Sequence, residues 1–496
     1  MFETLEVGRR LKRSEYNELQ LPLRQKLLEA QFDLAQRDYP VIIVVAGLDG
    51  AGKGALVQRL NEWMDPRGIE TNTYWEHSDE EESRPYFWRF WRSLPPRGEI
   101  GVFLGSWYTR PAQAAVDDEM TREEFAVACQ QIESFERMLH DDGALVIKLW
   151  LHVSEEVQRA QLQGKAPRSQ QNPRVTDRPY ELKGNYSKTL EASEKLILGT
   201  DSSHSRWHLI EAHDRHYRDI TAGEIIAEAM QAHKPRNQPL PAGPSDADDI
   251  EITGRQPTVL DGVDLTKTLQ KDKYKKKLAS YQDKLQDLSW EAYRQRRSVV
   301  AVFEGWDAAG KGSAIRRVTG AIDPRLYKLV QVGAPTDEEN AHHYLWRFWR
   351  QLQRDGRATF FDRSWYGRVL VERVEQFASS AEWQRAYSEI NQFERQLVAH
   401  GSIVLKFWIH ISKDEQMARF EARAQEPHKR HKITEEDWRN REKWHDYELA
   451  VDQMVSHTST QHAPWTLVAG NDKPWARIHI LKTFCKTMRA ALKETK

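Results

Sequence analysis

The sequence predicts an α/β protein built from two tandem copies of one domain, each a doubly wound parallel sheet with helices on both faces. Three observations lead there. The chain repeats itself at an offset of 258 residues, 305 minus 47, so that Gly47, Asp49, Gly52, Lys53 and Gly54 recur as Gly305, Asp307, Gly310, Lys311 and Gly312. Each copy carries a short β-branched run, Val41 to Val45 and Ser298 to Phe303, that breaks at glycines and reopens as a helical pattern. Further apolar runs of strand length, Thr359 to Phe361, Ile403 to Ile411 and Thr466 to Ala469, alternate with helical segments, as a parallel sheet with crossover helices requires.

Taken in chain order, each copy opens with a polar helix rich in Lys, Glu, Gln and Leu ahead of its first strand. The repeat then runs on without a gap: Asp65-Pro66-Arg67 returns as Asp323-Pro324-Arg325, Trp88-Arg89-Phe90-Trp91 as Trp346-Arg347-Phe348-Trp349, and Phe135-Glu136-Arg137 as Phe393-Glu394-Arg395. Lys148, Trp150 and Trp207 return as Lys406, Trp408 and Trp465. Trp346 and Trp349 share one helix face and are read as core, not as a base-stacking platform. Between the copies, Lys234 to Pro257 holds Pro235, Pro239, Pro241, Pro244 and Pro257 with Asp246, Asp248 and Asp249, the composition of an extended connector. The expected organisation is a domain over 1–232, a proline-rich linker over 233–258 and a second domain over 259–496.

Composition excludes several classes. With Lys+Arg 73 against Asp+Glu 74 the net charge is −1, so no whole-chain field draws the protein to nucleic acid or to an anionic membrane, and any anion site must be local. The longest apolar runs, such as Val41 to Ala46, fall far short of the roughly 20 residues of a membrane span. Met1 to Tyr16 has Arg9, Arg10, Lys12 and Arg13 but no apolar run behind them, so it does not read as a secretory signal. Cys129 and Cys485 are the two cysteines, which argues against a disulfide framework or a cysteine zinc site and for a reducing cytoplasm.

Gly47 to Lys53 and Gly305 to Lys311 both fit G-x-x-x-x-G-K between a strand and a helix. Such a loop turns backbone N–H groups toward phosphate oxygens, the helix N-terminus adds positive potential, and the lysine neutralises further charge. Two departures follow. The residue after the lysine is Gly54 or Gly312 where Ser or Thr would normally reach Mg²⁺, and an acid, Asp49 or Asp307, sits inside the loop. A carboxylate facing a polyanion is repelled unless a divalent cation lies between them, which makes Asp307 a candidate metal ligand. In the second copy Phe361-Asp362-Arg363-Ser364-Trp365-Tyr366-Gly367-Arg368 follows at the end of an expected strand, placing a second candidate ligand, Asp362, beside arginines suited to bidentate phosphate binding.

These motifs together, Gly305-x-Asp307-x-x-Gly310-Lys311-Gly312, Trp346-Arg347-Phe348-Trp349 and Asp362-Arg363-Ser364-Trp365-Tyr366, resemble the polyphosphate kinase type 2 family, and the two-copy layout is similar to its fused-domain branch. The resemblance implies two tandem P-loop kinase domains, thymidylate-kinase-like, each with a helical lid. It implies a metal-dependent transfer from inorganic polyphosphate to AMP, giving ADP. Carried over by position, Asp307 and Asp362 would hold Mg²⁺ or Mn²⁺; Lys311 with Gly310, Gly312 and Ser313 would grip the donor phosphates; Arg363 and Arg368 would hold the acceptor phosphate. The segment from His428 to Trp444, with a shortened capping box at Thr434 and Asp437, corresponds to the lid, and Lys432, Arg439, Arg441 and Lys443 become candidate donor contacts. A homodimer is expected from the resemblance alone.

The repeat also permits an internal comparison. Asp362 maps onto Leu104 and Arg363 onto Gly105, while Phe361, Ser364, Trp365 and Tyr366 keep Phe103, Ser106, Trp107 and Tyr108. In the lid, Arg439 maps onto Glu181, Lys443 onto Asn185 and Trp444 onto Tyr186, although Lys432 and Arg441 stay basic as Arg174 and Lys183. Activity is therefore expected in the second copy, and the first, which keeps Asp49 and Lys53, is suited to bind a phosphate chain or to pack. Two other readings stay open: an ATP-dependent nucleoside monophosphate kinase, and a protein that binds polyphosphate without turnover.

Overall fold

The computed structural model describes residues 1–74, 77–163, 186–234, 257–425 and 435–493. Lys432, Thr434 and the connector's centre lie outside the described residues, as do Arg174, Glu181, Lys183 and Asn185 of the first copy. The chain divides into two compact units, neither continuous in sequence: the first holds Met1–His77, Arg89–Asn237 and Asp337–His343, the second Ser78–Trp88, Gln238–Thr336 and Tyr344–Lys496.

The first unit is built on strands β1 (Val41–Gly47), β2 (Ile69–Thr73), β3 (Ile100–Leu104), β4 (Leu145–His152) and β5 (Trp207–Glu211), paired parallel in the order β2-β3-β1-β4-β5. Helices α1 (Arg13–Leu34), α2 (Lys53–Trp63), α3 (Arg122–Asp141), α4 (Tyr186–Thr200) and α5 (Arg215–Ala232) accompany them. The second unit repeats this as β6 (Val299–Gly305), β7 (Tyr327–Gln331), β8 (Ala358–Asp362), β9 (Ile403–His410) and β10 (Trp465–Ala469), again parallel, in the order β7-β8-β6-β9-β10. Its helices include α6 (Lys271–Arg294), α7 (Lys311–Thr319), α8 (Ser380–Ala399), α9 (Lys413–Gln425), α10 (Glu435–Glu442), α11 (Trp444–Thr458) and α12 (Lys473–Lys493).

Central strands are buried along almost their whole length, as expected where helices cover both faces of a sheet, so β1 and β6 read as unbroken Val-rich runs. Edge strands β2 and β7 escape that pattern: Ile69-Glu70-Thr71-Asn72-Thr73 and Tyr327-Lys328-Leu329-Val330-Gln331 have no buried position, so hydropathy does not announce them. α3 and α8 begin at reciprocal capping boxes, Thr121 with Glu124 and Ser379 with Glu382, which satisfy backbone donors at each helix start. Trp346 and Trp349 are buried, Trp349 edge-on to Phe393 with centroids 4.8 Å apart.

The residues shared by the two copies assemble a buried anchor under each sheet. In the second unit Glu394 accepts from the Trp365 indole at 3.2 Å, the Tyr366 hydroxyl at 2.7 Å and Lys406 Nζ at 2.7 Å, while Lys406 also donates to the Thr458 carbonyl at 2.7 Å. In the first, Glu136 accepts from Trp107 at 2.9 Å, from Tyr108, and from Lys148 at 2.9 Å. A buried ion pair persists when its remaining valences are filled this way. The Trp-Tyr pair thus ties each β-strand end to this anchor in both copies.

Candidate active site

The strand ends of the second unit bring most of the candidate residues together. β6 stops at Gly305, whose φ of 146° and close approach to β9 exclude a side chain: a Cβ there would lie 2.5 Å from the Ile409 carbonyl oxygen. The loop then turns through Gly310, at φ 109°, into α7. Lys311 folds back to donate to the Gly305 carbonyl at 2.6 Å and that of Trp306 at 3.3 Å, holding its ammonium over the loop.

Asp307 faces the same space. Its Oδ1 receives Arg363 Nη2 at 3.2 Å and its Oδ2 receives Asn440 Nδ2 at 2.9 Å. Burial works to raise the carboxyl's pKa, but Lys311, Arg363 and the Asn440 hydrogen bond outweigh it and hold Asp307 below the usual aspartate value. The group is a part-buried anion, its side chain 13% exposed, surrounded by cations and donors. Asp362 ends β8, with Oδ2 directed at the loop: a Cβ on Gly312 would stand 3.7 Å from it. The carboxylate therefore borders the position from which an ordinary loop hydroxyl would reach a metal. Two carboxylates beside a phosphate loop suit a hard, oxygen-liganded divalent cation such as Mg²⁺ or Mn²⁺. Among the described residues no group of three His, Cys, Asp or Glu is assembled, so such a cation would draw its remaining ligands from phosphate oxygens and water.

Arg363 occupies φ 63°, the left-handed region, and is held there by its own N–H on the Phe303 carbonyl at 3.1 Å. Non-glycine residues in that region cost on the order of 1–3 kcal/mol and cluster at functional sites. The first copy has Gly105 here, at φ 74°, so the backbone turn survives where the side chain does not.

Glu304, the residue before Gly305, was not singled out by sequence reasoning. It is buried, accepts from Ser364 Oγ at 2.8 Å, and lies among Lys311, Arg363 and Asp362. Burial pushes its pKa above the glutamate value, with Asp362 adding to the effect and Lys311, Ser364 and Arg363 opposing it. The signal that could have found it is the repeat: its counterpart is Ala46, so Glu304, Asp362 and Arg363 are absent together from the first copy.

The other candidates are spread around this centre. Arg368 lies over the Tyr344 ring at 4.7 Å, with Glu372 at 3.1 Å and Glu382 at 3.3 Å. Ser313 donates to the Gly310 carbonyl at 3.0 Å. In the lid region Arg439 and Lys443 both reach Glu375 Oε2, each at 3.0 Å, and Arg441 donates to the Lys413 carbonyl at 2.6 Å and Gln416 at 3.2 Å. The lid helices are pinned to the loop by Asn440 and by Trp444, which stacks on Trp306 with centroids 3.7 Å apart and planes 8° from parallel.

In the first unit the same places are filled differently. Lys53 pairs with its loop acid, Asp49 Oδ1, at 3.0 Å. Leu48 replaces Trp306, and Phe2 stacks on His152, the counterpart of His410, with centroids 4.9 Å apart.

Comparison with known proteins agrees with this duplicated architecture. The family model described as polyphosphate kinase 2 matches twice, over residues 10–238 and 268–496. The chain is 46% identical, over 100% of both chains, to a polyphosphate:AMP phosphotransferase of Pseudomonas aeruginosa, and 43% identical, again over the whole of both, to one of Pseudomonas syringae pv. tomato. A crystal structure assigned to a polyphosphate kinase 2 of Pseudomonas aeruginosa superposes with a TM-score of 0.88 at 45% identity, covering 100% of each chain. With both halves matched and both sheets alike in strand order, the chain belongs to the polyphosphate kinase 2 family.

Proposed function

We propose that this protein transfers the terminal phosphate of inorganic polyphosphate to AMP, giving ADP, and that the second unit carries the chemistry. The observation that carries the reading is the convergence of Asp307, Lys311, Asp362 and Arg363 on one loop in a chain alike over its full length to polyphosphate:AMP phosphotransferases. The first copy has Leu104, Gly105 and Ala46 at the matching positions.

An AMP phosphate is already ionised at neutral pH, so its attacking oxygen needs no strong base, and alignment with charge compensation suffices. Gly310, Lys311, Gly312 and Ser313 bind the donor's terminal phosphates, and Arg363 and Arg368 orient the acceptor phosphate in line. Arg439, Arg441 and Lys443 bring further positive charge as the lid meets the donor. Asp307 and Asp362 would hold Mg²⁺ or Mn²⁺, which when bound would offset charge on the transferring group. Were the Asp307 carboxylate to hold the cation, Arg363, paired with that carboxylate at 3.2 Å, would turn toward the acceptor phosphate. The same reading makes the protein a cytoplasmic homodimer with no nucleic-acid or membrane partner, since a net charge of −1 gives no whole-chain field toward either polyanion. Sedimentation as a monomer would remove the dimer.

The test is ADP formation, followed by chromatography, from AMP with Mg²⁺ and long-chain polyphosphate, beside a reaction in which ATP replaces polyphosphate. ADP from polyphosphate, reduced by roughly 10³-fold or more in Asp362→Asn, is the expected outcome. Turnover with ATP alone would instead make the protein an ordinary monophosphate kinase.

A further inference from the structure

We propose that Arg477 and Lys473, at the start of α12, form a second donor subsite that takes inner phosphates of a polyphosphate chain whose reacting end lies in the loop; the proposal rests on the polyphosphate reading above. Arg477 Nη2 lies 3.3 Å from Ser313 Oγ, on the first turn of α7, so its guanidinium continues the donor surface beyond Lys311. Its Nε is buried and has no hydrogen-bond partner among the described residues. A guanidinium with a donor left over matches a phosphate oxygen.

The surrounding charge points the same way. Buried Arg419, on α9, donates to the Ala308 and Ala309 carbonyls at 3.0 and 2.8 Å and to those of Gly470 and Asn471 at 2.7 and 2.9 Å, tying the loop to the segment just before Lys473. Partial desolvation of this otherwise exposed side chain, together with Arg419, Arg423 and Arg477, lowers the Lys473 pKa, and Glu415 opposes them. Glu415 is already committed to Arg419 Nε at 2.7 Å. Arg419, Arg423, Arg477 and Lys473 therefore outnumber the nearby carboxylates, Glu415 and Asp472, the latter capping α12 through the Trp475 N–H at 2.6 Å, an imbalance that a polyanion corrects.

The first copy changes three of these positions and keeps a cation, Arg215, at that of Lys473. Ala55 stands for Ser313, Gln161 for Arg419 and Asp219 for Arg477. Asp219 takes Arg218 at 2.7 Å and lies 3.6 Å from Arg59, so that corner neutralises itself and presents an acid where the second copy presents an arginine.

An inner-phosphate subsite makes chain length matter. The experiment compares the full chain with Lys473→Gln, Arg477→Gln and the double variant, measuring ADP from AMP with long-chain polyphosphate and with tripolyphosphate at fixed Mg²⁺. The parent is expected to prefer the long chain in kcat/KM. The double variant is expected to lose about tenfold of that preference, with KM for AMP unmoved and a shallower salt dependence of KM for the long chain. Equal losses with both lengths would make Arg477 a mere support for Ser313 and overturn the proposal, as would an unchanged ratio or a parent without length preference. Should Arg477→Gln unfold early, Lys473→Gln, at an exposed side chain, carries the test alone. Absence of ADP with either donor in the parent would instead defeat the polyphosphate reading itself.

Discussion

Glu304→Gln separates stability from activity in this site. The wild-type carboxylate is buried against the desolvation that raises its pKa, and it anchors Ser364 at 2.8 Å, one residue from strained Arg363 and two from Asp362. A hydrogen bond to a charged acceptor contributes about 1.5–3 kcal/mol, and a glutamine oxygen retains roughly half of it. Against that loss stands relief from burying a charge. That relief is of the same order as the loss, so the net change in stability should stay within about 1 kcal/mol, or roughly 2–4 °C in Tm for a domain of this size. Catalysis does not balance in this way. The turn carrying Asp362 and Arg363 loses part of its anchor, and misplacement of reacting groups by about 1 Å can cost on the order of 100-fold, so kcat should fall roughly 10- to 100-fold. The assay pairs ADP formation at saturating AMP and polyphosphate with a thermal melt of the same preparation. A kcat within about twofold of the parent would refute the reasoning, and a Tm that falls together with activity would reduce Glu304 to a structural residue.

Other outcomes follow from the same geometry. Arg363→Gly, which installs the first copy's residue at φ 63°, should relieve about 1 kcal/mol of strain and abolish turnover; a destabilised protein in a denaturant melt would contradict the strain. Glu394→Ala leaves Lys406 buried without its counter-ion and should cost about 3–5 kcal/mol, seen as a Tm drop of very roughly 6–20 °C; a drop under 2 °C or so would show that the anchor is not holding β8. Asp307 has a folded pKa below its ordinary 3.8, so it contributes stability that is present above 3.8 and lost as pH falls through the folded value. The stability gap between the parent and Asp307→Asn, read from denaturant melts, should therefore shrink with acidification below about pH 4, and a gap that widens there would reverse the assignment.

Much of the site was legible because it is local. The glycine loop works through its own backbone and the helix it starts, so G-x-x-x-x-G-K between a strand and a helix declares the position of Lys311 without tertiary information. The duplication went further, since Leu104 and Gly105 against Asp362 and Arg363 distinguish the copies within one chain. Glu304 was not legible: as one acid at the end of an apolar strand it has no pattern, and its meaning comes from Ser364, 60 residues away. The same holds for Glu375, which gathers Arg439 and Lys443 from the lid, and for the Arg477 contact with Ser313, 164 residues apart.

The sequence by itself determined the α/β class, the twofold repeat and the copy that holds both candidate carboxylates, because hydrophobic period, turn chemistry and loop motifs act over a few residues and leave a linear trace. Only the tertiary structure decided the strand order, the edge strands without a hydropathy signal, the segments exchanged between compact units, and the partners of each charge. Those depend on which strand ends the chain brings side by side, and a buried group such as Glu304 or Glu394 takes its protonation and its role from neighbours that are near in space and far along the chain.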